Sequence, residues 1–313
     1  MPVGVPFAFA HLRTILLAPI LLGLTMPATG GSAQESSKKP SRAAWSVRWQ
    51  PFRPVNGSPV VFRVSSPWLK SLTARWLDHE VFFASDAHSK TWYGIGGVSL
   101  ETKAGGYPLE LSGTDADGKT IAFGQKIAIG KNKYPHVKVT VPERFTQPNA
   151  EQLKRIAEEK TLKEQLFAHT DPEREWSGTF LPPVKARISD LFGTERVFNG
   201  KGESVHQGLD YAVPEGTAVR ALNKGTVLLA RPLFFEGGFV ILDHGQGLLT
   251  LYMHLSKIEV KENGAVTRGQ EIGLSGGSGR ATGPHLHVAV RWQGVYLNPA
   301  TLMSLDLPLE SSD

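Results

Sequence analysis

The stretch that says most about the fold is residues 285–290, HLHVAV, where an apolar strand pattern carries two histidines. Side chains alternate between the two faces of a strand, so His285 and His287 emerge on one face and Leu286 on the other. Burying two neighbouring imidazoles without a metal or a carboxylate is costly, so the pair either binds a metal or faces solvent. Similar apolar runs bounded by glycine occur before it, at residues 225–230, 238–242 and 248–252. Residues 180–305 therefore predict a domain of antiparallel β-strands with little helix.

Two further segments of this domain are interpreted as turns. Residues 273–279, GLSGGSG, could suggest a phosphate-binding loop, but no Gly-Lys-Ser/Thr follows and no βαβ unit surrounds them. They are better interpreted as a turn that leads into the histidine strand. Residues 243–245, DHG, predict a hairpin turn with His244 exposed.

The residues before this domain show a second β-rich pattern. Short runs of β-branched and aromatic residues fill residues 45–145, and Asp117-Gly118 is a strong hairpin signal. The clearest runs are residues 59–64, 80–83, 121–129 and 137–141. This spacing predicts a β-sandwich-like domain. Three isolated histidines in it are interpreted as ordinary surface or core residues: His79, His88 and His136.

One helix is predicted between the two domains, within a connector that we assign to residues 146–179. Asn149 is a suitable N-cap, and four apolar residues are spaced for one helix face: Leu153, Ile156, Leu162 and Leu166. Residues 306–313 are assigned to a C-terminal tail. The predicted fold class is therefore all-β, with an N-terminal β-sandwich-like domain, a connecting helix and a C-terminal antiparallel β-sheet domain.

Composition narrows the function classes. The 313 residues suffice for two domains, and the formal net charge of +5 lacks the dense basic stripes of a dedicated nucleic-acid binder. The chain has no cysteine, which excludes disulfides, thiolate nucleophiles and cysteine-type zinc sites. Any bound metal must therefore be held by His, Asp or Glu.

The N-terminus has the pattern of a signal peptide, which we assign to residues 1–33. Arg13 precedes an apolar run over residues 15–24, and small residues at Gly31 and Ala33 suit cleavage after Ala33. The alternative is a retained anchor, although the run is about half of the roughly 20 residues that span a bilayer. Residues 34–44 are polar and predict a linker. The protein is therefore expected to be exported, periplasmic or cell-wall associated, with no stable membrane span after cleavage.

Three histidine clusters in the C-terminal domain together suggest a catalytic metal site. His206 and Asp210 are four residues apart, so they emerge on one face of a strand, either as metal ligands or as a surface pair. The second cluster is the HLH strand, and the third is His254 at the end of an apolar strand. Two histidines and one aspartate would provide three ligands and leave a fourth zinc position for water. Two spare histidines would suit proton transfer and oxyanion stabilisation.

Residues 188–299 resemble the lysostaphin/LytM-type zinc peptidases, which act on bacterial peptidoglycan. The matching motifs follow one another in order: DLFG at 190–193, FNG at 198–200, HQGLD at 206–210, AVPEGT at 212–217, YMHL at 252–255 and GPHLH at 283–287. The N-terminal domain more loosely resembles the Ig-like domain that precedes the catalytic domain in some members.

The resemblance implies a role for each of five residues. The ligands of one Zn²⁺ would be His206, Asp210 and His287, while His254 and His285 would form the non-ligand catalytic pair. The implied function is a zinc-dependent endopeptidase in which a zinc-activated water hydrolyses peptide cross-links of peptidoglycan. Alternatives are a non-catalytic relative that regulates other wall hydrolases and a module with purely structural zinc. The sequence leaves open whether protein regulators bind as additional partners.

Overall fold

The computed structural model describes residues 46–66, 68–86, 89–140, 147–198 and 202–308. The predicted signal peptide and linker, and residues 309–313 of the predicted tail, lie outside these ranges. Within them, no helix combines the length and the apolar character of a bilayer-crossing segment.

The N-terminal β-rich residues form two four-stranded antiparallel sheets. One sheet has the order β1-β2-β6-β5, with β1 Ser46–Gln50, β2 Pro59–Ser65, β5 Ala84–Asp86 and β6 Thr91–Gly97. The other has the order β4-β3-β7-β8, with β3 Leu69–Trp76, β4 His79–Phe82, β7 Gly105–Asp115 and β8 Thr120–Ile129. Phe62 and Trp76 join the two sheets through an edge-to-face contact with ring centroids 5.5 Å apart. The sandwich-like arrangement is confirmed, whereas the closer likeness to an Ig-like domain stays a prediction.

The helix α1, Ala150–Ala168, confirms the predicted connecting helix. Asn149 caps it: its side chain accepts from the Gln152 backbone N–H, and the Gln152 side chain accepts from the Asn149 N–H. No residue of α1 is fully buried, because the helix lies on the protein surface. Its C-terminal half nevertheless packs Leu162, Leu166 and Phe167 against one face of the large sheet.

The large sheet of the C-terminal region has the order β10-β13-β21-β17-β16-β15-β19, and β22 pairs with β21. Its strands are β10 Ile188–Asp190, β13 Gly208–Tyr211, β15 Gly225–Leu233, β16 Gly237–Asp243, β17 Leu248–Leu255, β19 Ala265–Val266, β21 Leu286–Trp292 and β22 Val295–Leu297. All these pairings are antiparallel, which confirms the all-β fold class. The short helix α2, Pro299–Ser304, follows with Asn298 as its N-cap.

Two small sheets complete the fold. One joins β14 Ala218–Arg220, β20 Glu271–Leu274 and β18 Lys257–Ile258. The other joins β12 Gly202–Val205, β11 Glu195–Phe198 and β9 His136–Val139, and β9 runs parallel to β11. The strand β9 thus ties the residues before α1 to the residues that precede the first histidine cluster.

One prediction about a turn is wrong. Asp243 ends β16 and residues 244–247 connect it to β17, but His244 is fully buried instead of exposed. Its ring is covered by Phe180, with centroids 5.3 Å apart, and is hydrogen-bonded to Thr250.

The buried core is continuous from the N-terminal sheets into the large sheet, since a single cluster of buried side chains runs from Val60 to Leu307. The described residues from Ser46 to Pro308 belong to one compact unit. The boundaries predicted at 145, 179 and 305 stay predictions.

Candidate metal centre

Two neighbouring strands place Asp210 and His287 side by side. Asp210 on β13 is the register partner of His287 on β21. His206 lies just before β13 and is held by backbone hydrogen bonds to Gly193 and Thr194, of 2.7 and 2.8 Å. Gly208 leaves room for the His287 ring, because a Cβ at that position would lie 2.6 Å from the His287 Nε2.

Three side-chain atoms therefore converge on one point. The Asp210 Oδ1 lies 3.0 Å from the His206 Nε2 and 2.7 Å from the His287 Nδ1, and the two nitrogens are 3.0 Å apart. All three residues are buried, with 2 to 8% of their surface exposed. Among the described residues, these three form the group of His, Asp and Glu side chains that could hold a metal ion.

The tautomer of His206 leaves one ring nitrogen available to a metal ion. Its Nδ1 lies 2.7 Å from the carbonyl oxygen of Leu191, which can only accept, so Nδ1 carries a proton. In the neutral ring the Nε2 therefore presents a lone pair toward the Asp210 carboxylate and the His287 Nδ1. Either additional protons or a metal ion must lie between these atoms. Burial lowers the pKa of His287, which disfavours its doubly protonated form. A metal ion bound by all three atoms would satisfy them together.

The carboxylate of Asp210 stays ionised in this setting. Burial by itself would raise the pKa of Asp210, but contacts with His206 and His287 outweigh it and hold the pKa well below its usual range. An ionised carboxylate and two imidazoles are the oxygen and nitrogen donors that zinc accepts in catalytic sites.

His254 and His285 form a second pair beside the cluster. Their ring centroids are 4.7 Å apart, and the His254 ring is 6.2 Å from that of His287. The Nδ1 of His254 lies 2.8 Å from the Ser278 carbonyl oxygen, and the Nδ1 of His285 lies 2.8 Å from that of Gly283. Both rings therefore donate from Nδ1, which leaves Nε2 as the ring nitrogen without this carbonyl contact.

Backbone and burial set the properties of His254. Its φ of 65° is uncommon for a residue other than glycine, and such strain is often found at functional sites. Burial, followed by repulsion from His285 and His287, lowers the pKa of His254 to about 3. This imidazole is therefore neutral at physiological pH.

Comparison with known proteins identifies the region around this cluster. The profile of Peptidase family M23 matches residues 204–299, which include all five histidine and aspartate residues described above. Residues 204–299, here called the M23 domain, are similar to peptidase family M23.

Two proteins whose names state an activity are similar to part of this chain. The peptidoglycan DD-endopeptidase ShyA of Vibrio cholerae is 42% identical over 129 residues, which are 41% of this chain and 29% of that protein. The DD-carboxypeptidase/endopeptidase Mpg of Neisseria meningitidis is 40% identical over 121 residues, which are 39% of this chain and 28% of that protein. The matched segments thus span less than a third of the length of either relative.

The likeness to a solved structure extends beyond the M23 domain. A crystal structure from Pseudomonas aeruginosa assigned to peptidase M23 is 29% identical and has a TM-score of 0.61. The alignment covers 80% of this chain and 95% of that chain, so the shared fold includes residues outside the M23 domain.

The M23 domain presents the cluster in a groove of about 570 Å³. Its walls include Lys163 from α1 and the loop residues Phe235, Glu236 and Arg280. Lys163 forms an ion pair with Glu236, and the Arg280 guanidinium lies 4.8 Å from the centre of the Phe235 ring. Charged and aromatic side chains thus stand in the groove walls beside the histidines.

The structure brings all five predicted site residues together in this groove, and their individual roles stay predictions. Sequence reasoning missed Arg196, which contacts Asp210 and Asp190 at the base of the groove. Asp190 belongs to the DLFG motif, but no local pattern marks Arg196 as its partner.

Proposed function

We propose that this protein is a zinc-dependent endopeptidase that hydrolyses peptide cross-links of bacterial peptidoglycan, at the D,D-linkage of directly cross-linked walls. The convergence of His206, Asp210 and His287 on one point, beside His254 and His285 in an open groove, is the observation that carries the proposal. The M23 domain and the names of its relatives support the reaction and the substrate.

The donor set fits zinc, so His206, Asp210 and His287 would hold it. When bound, zinc supplies a Lewis acid that polarises a carbonyl group and lowers the pKa of water. Neighbouring residues of the chain hold the ligand side chains in place. The hydrogen bond from the His206 Nδ1 to Leu191 fixes that ring so that its Nε2 faces the site.

The histidine pair would move the proton. The Nδ1 of His254 is held by the Ser278 carbonyl oxygen, so its Nε2 would be the atom that accepts a proton from an attacking water. The Nε2 of His285 lies 3.9 Å from the Asp210 Oδ1, so it stands beside the metal position. In its protonated form a histidine there would stabilise the negative charge that develops on the carbonyl oxygen.

The substrate also determines where the protein must act. Peptidoglycan lies outside the cytoplasmic membrane, and the pattern of residues 1–33 is that of a signal peptide. We therefore propose that the protein is exported and acts in the periplasm or at the cell wall.

The test is to measure zinc content and to digest purified cross-linked peptidoglycan with the parent chain, His206→Ala and His169→Ala. His169 is half exposed at the end of α1 and serves as a matched control. We expect about one zinc per chain, and loss of cross-linked muropeptides with the parent and His169→Ala only. Zinc binding without any change in muropeptides would instead favour a non-catalytic regulator.

A further inference from the structure

We infer, on the basis of the proposed zinc site, that Arg196 is a positioning residue that fixes the Asp210 carboxylate so that a single oxygen faces the metal. The two oxygens of Asp210 have different partners. The Oδ1 contacts the His206 Nε2 and the His287 Nδ1, whereas the Oδ2 accepts from the Arg196 Nη2. The Arg196 side chain on β11 is 17% exposed, so this contact is largely shielded from water.

A second carboxylate holds the Arg196 guanidinium in place. Its Nε and Nη2 donate to the Asp190 Oδ2, at 2.9 and 2.6 Å. The Asp190 Oδ1 accepts from the backbone N–H of Leu191, at 2.8 Å, and the Leu191 carbonyl oxygen accepts from His206. One guanidinium is thus linked to two of the three ligand residues, to Asp210 directly and to His206 through Asp190 and Leu191.

Charge and shape both require arginine at this position. Asp190 and Asp210 place two carboxylate oxygens on the same Nη2, and without a cation between them they would repel each other. The planar guanidinium satisfies both with several fixed donors, whereas a lysine ammonium is a single point charge on a flexible stem. We call the set of hydrogen bonds from the Arg196 guanidinium to these carboxylates the fork. Without it the Asp210 Oδ2 would be free to rotate toward the metal, and the ligand side chains would be held less rigidly.

The test compares Arg196→Gln and Arg196→Lys with Arg231→Gln in the full chain. Arg231 forms a similar fork with Glu262, at 2.8 and 2.6 Å, on the exposed side of β15, outside the groove. The zinc dissociation constant is measured by competition with a chromophoric chelator, and the melting temperature is measured without metal. We expect Arg196→Gln to bind zinc about 10- to 100-fold more weakly than the parent, as is typical for loss of a partner of a metal ligand.

Arg196→Lys should lie between the parent and Arg196→Gln, because it keeps the charge but loses the fork. Arg231→Gln should match the parent. With Co²⁺ in place of zinc, the visible absorption spectrum reports how the ligands surround the ion. The spectra of both Arg196 variants should differ from that of the parent, and the spectrum of Arg231→Gln should match it.

Zinc affinity within twofold of the parent in Arg196→Gln would overturn the inference, even if the metal-free melting temperature falls, because the residue would then be structural only. Should Arg196→Gln fail to fold, unaltered zinc affinity and Co²⁺ spectrum in Arg196→Lys would overturn it equally. These readouts need no peptidoglycan, so a parent that binds zinc but cleaves nothing would refute the proposed reaction while leaving the role of Arg196 measurable.

Discussion

The buried histidine His244 belongs to a chain of hydrogen bonds beneath the sheet and not to the groove. Its Nδ1 lies 2.6 Å from the Lys224 carbonyl oxygen, which accepts the proton of that nitrogen. Its Nε2 therefore accepts from the Thr250 hydroxyl at 2.7 Å, and Thr250 lies 3.1 Å from the Tyr252 hydroxyl. A second proton would place a positive charge in this fully buried site, and burial therefore lowers the pKa of His244 to about 4.

This single ring predicts a pH dependence of stability. Above pH 6.5 His244 is neutral in both states; as the pH falls toward 4, the unfolded chain binds a proton that the folded chain does not. The stabilisation present above pH 6.5 is therefore lost between pH 6.5 and 4, by about 3 kcal/mol. In metal-free urea unfolding from pH 7 to 4, His244→Gln should therefore lose about 3 kcal/mol less stability than the parent, in which His254 and His287 act in the same direction. Equal slopes for the two proteins would contradict the prediction.

At the next scale, the helix α1 supports one wall of the groove through polar contacts. Glu159 accepts from the Phe234 backbone N–H at 2.7 Å and from the Arg155 Nε at 2.7 Å, and its side chain is 13% exposed. The next residues after Phe234 include Glu236, which Lys163 of the same helix holds by an ion pair. The position of this wall therefore depends on one face of α1.

Glu159→Ala should lower the free energy of unfolding by about 2 kcal/mol, because it removes hydrogen bonds to a largely buried charged group. The neighbouring Glu158 is the matched control, since its side chain is 67% exposed and its distance to Lys154 is 4.0 Å. Glu158→Ala should therefore cost less than about 0.5 kcal/mol. Urea unfolding measures both, and equal losses would show that α1 does not support the wall.

The two elements also show how far sequence reasoning reaches. Alternation along a strand and the Asn149 cap are local signals, and they predicted the strand β21 and the helix α1 in nearly their observed positions. The contact from Arg196 to Asp210 depends on how β10, β11 and β13 are placed relative to one another, and no local pattern contains that information. The turn residues 243–245 predicted that His244 is exposed, because the sequence does not show that Phe180 would cover the ring.

At the scale of the whole molecule, the N-terminal sheets pack directly against residues of the large sheet. The His79 ring on β4 lies 5.0 Å from the Trp292 ring on β21. A Cβ at Gly97 on β6 would lie 2.9 Å from Trp292 and 2.8 Å from Leu297, so these elements are in close contact. Such contacts predict that the two regions unfold together, although the sequence suggested two separate domains.

Zinc provides the means to test this coupling. A ligand that binds only the folded state raises the free energy of unfolding by about 2.7 kcal/mol at 100 times its dissociation constant. If the regions unfold as one unit, zinc should slow hydrogen exchange about 100-fold for the most protected amides of β2 and β6 as well as those of β21. His206→Ala should show no change in either region. Protection by zinc of β21 alone would contradict the coupling, because the N-terminal sheets would then open without releasing the metal.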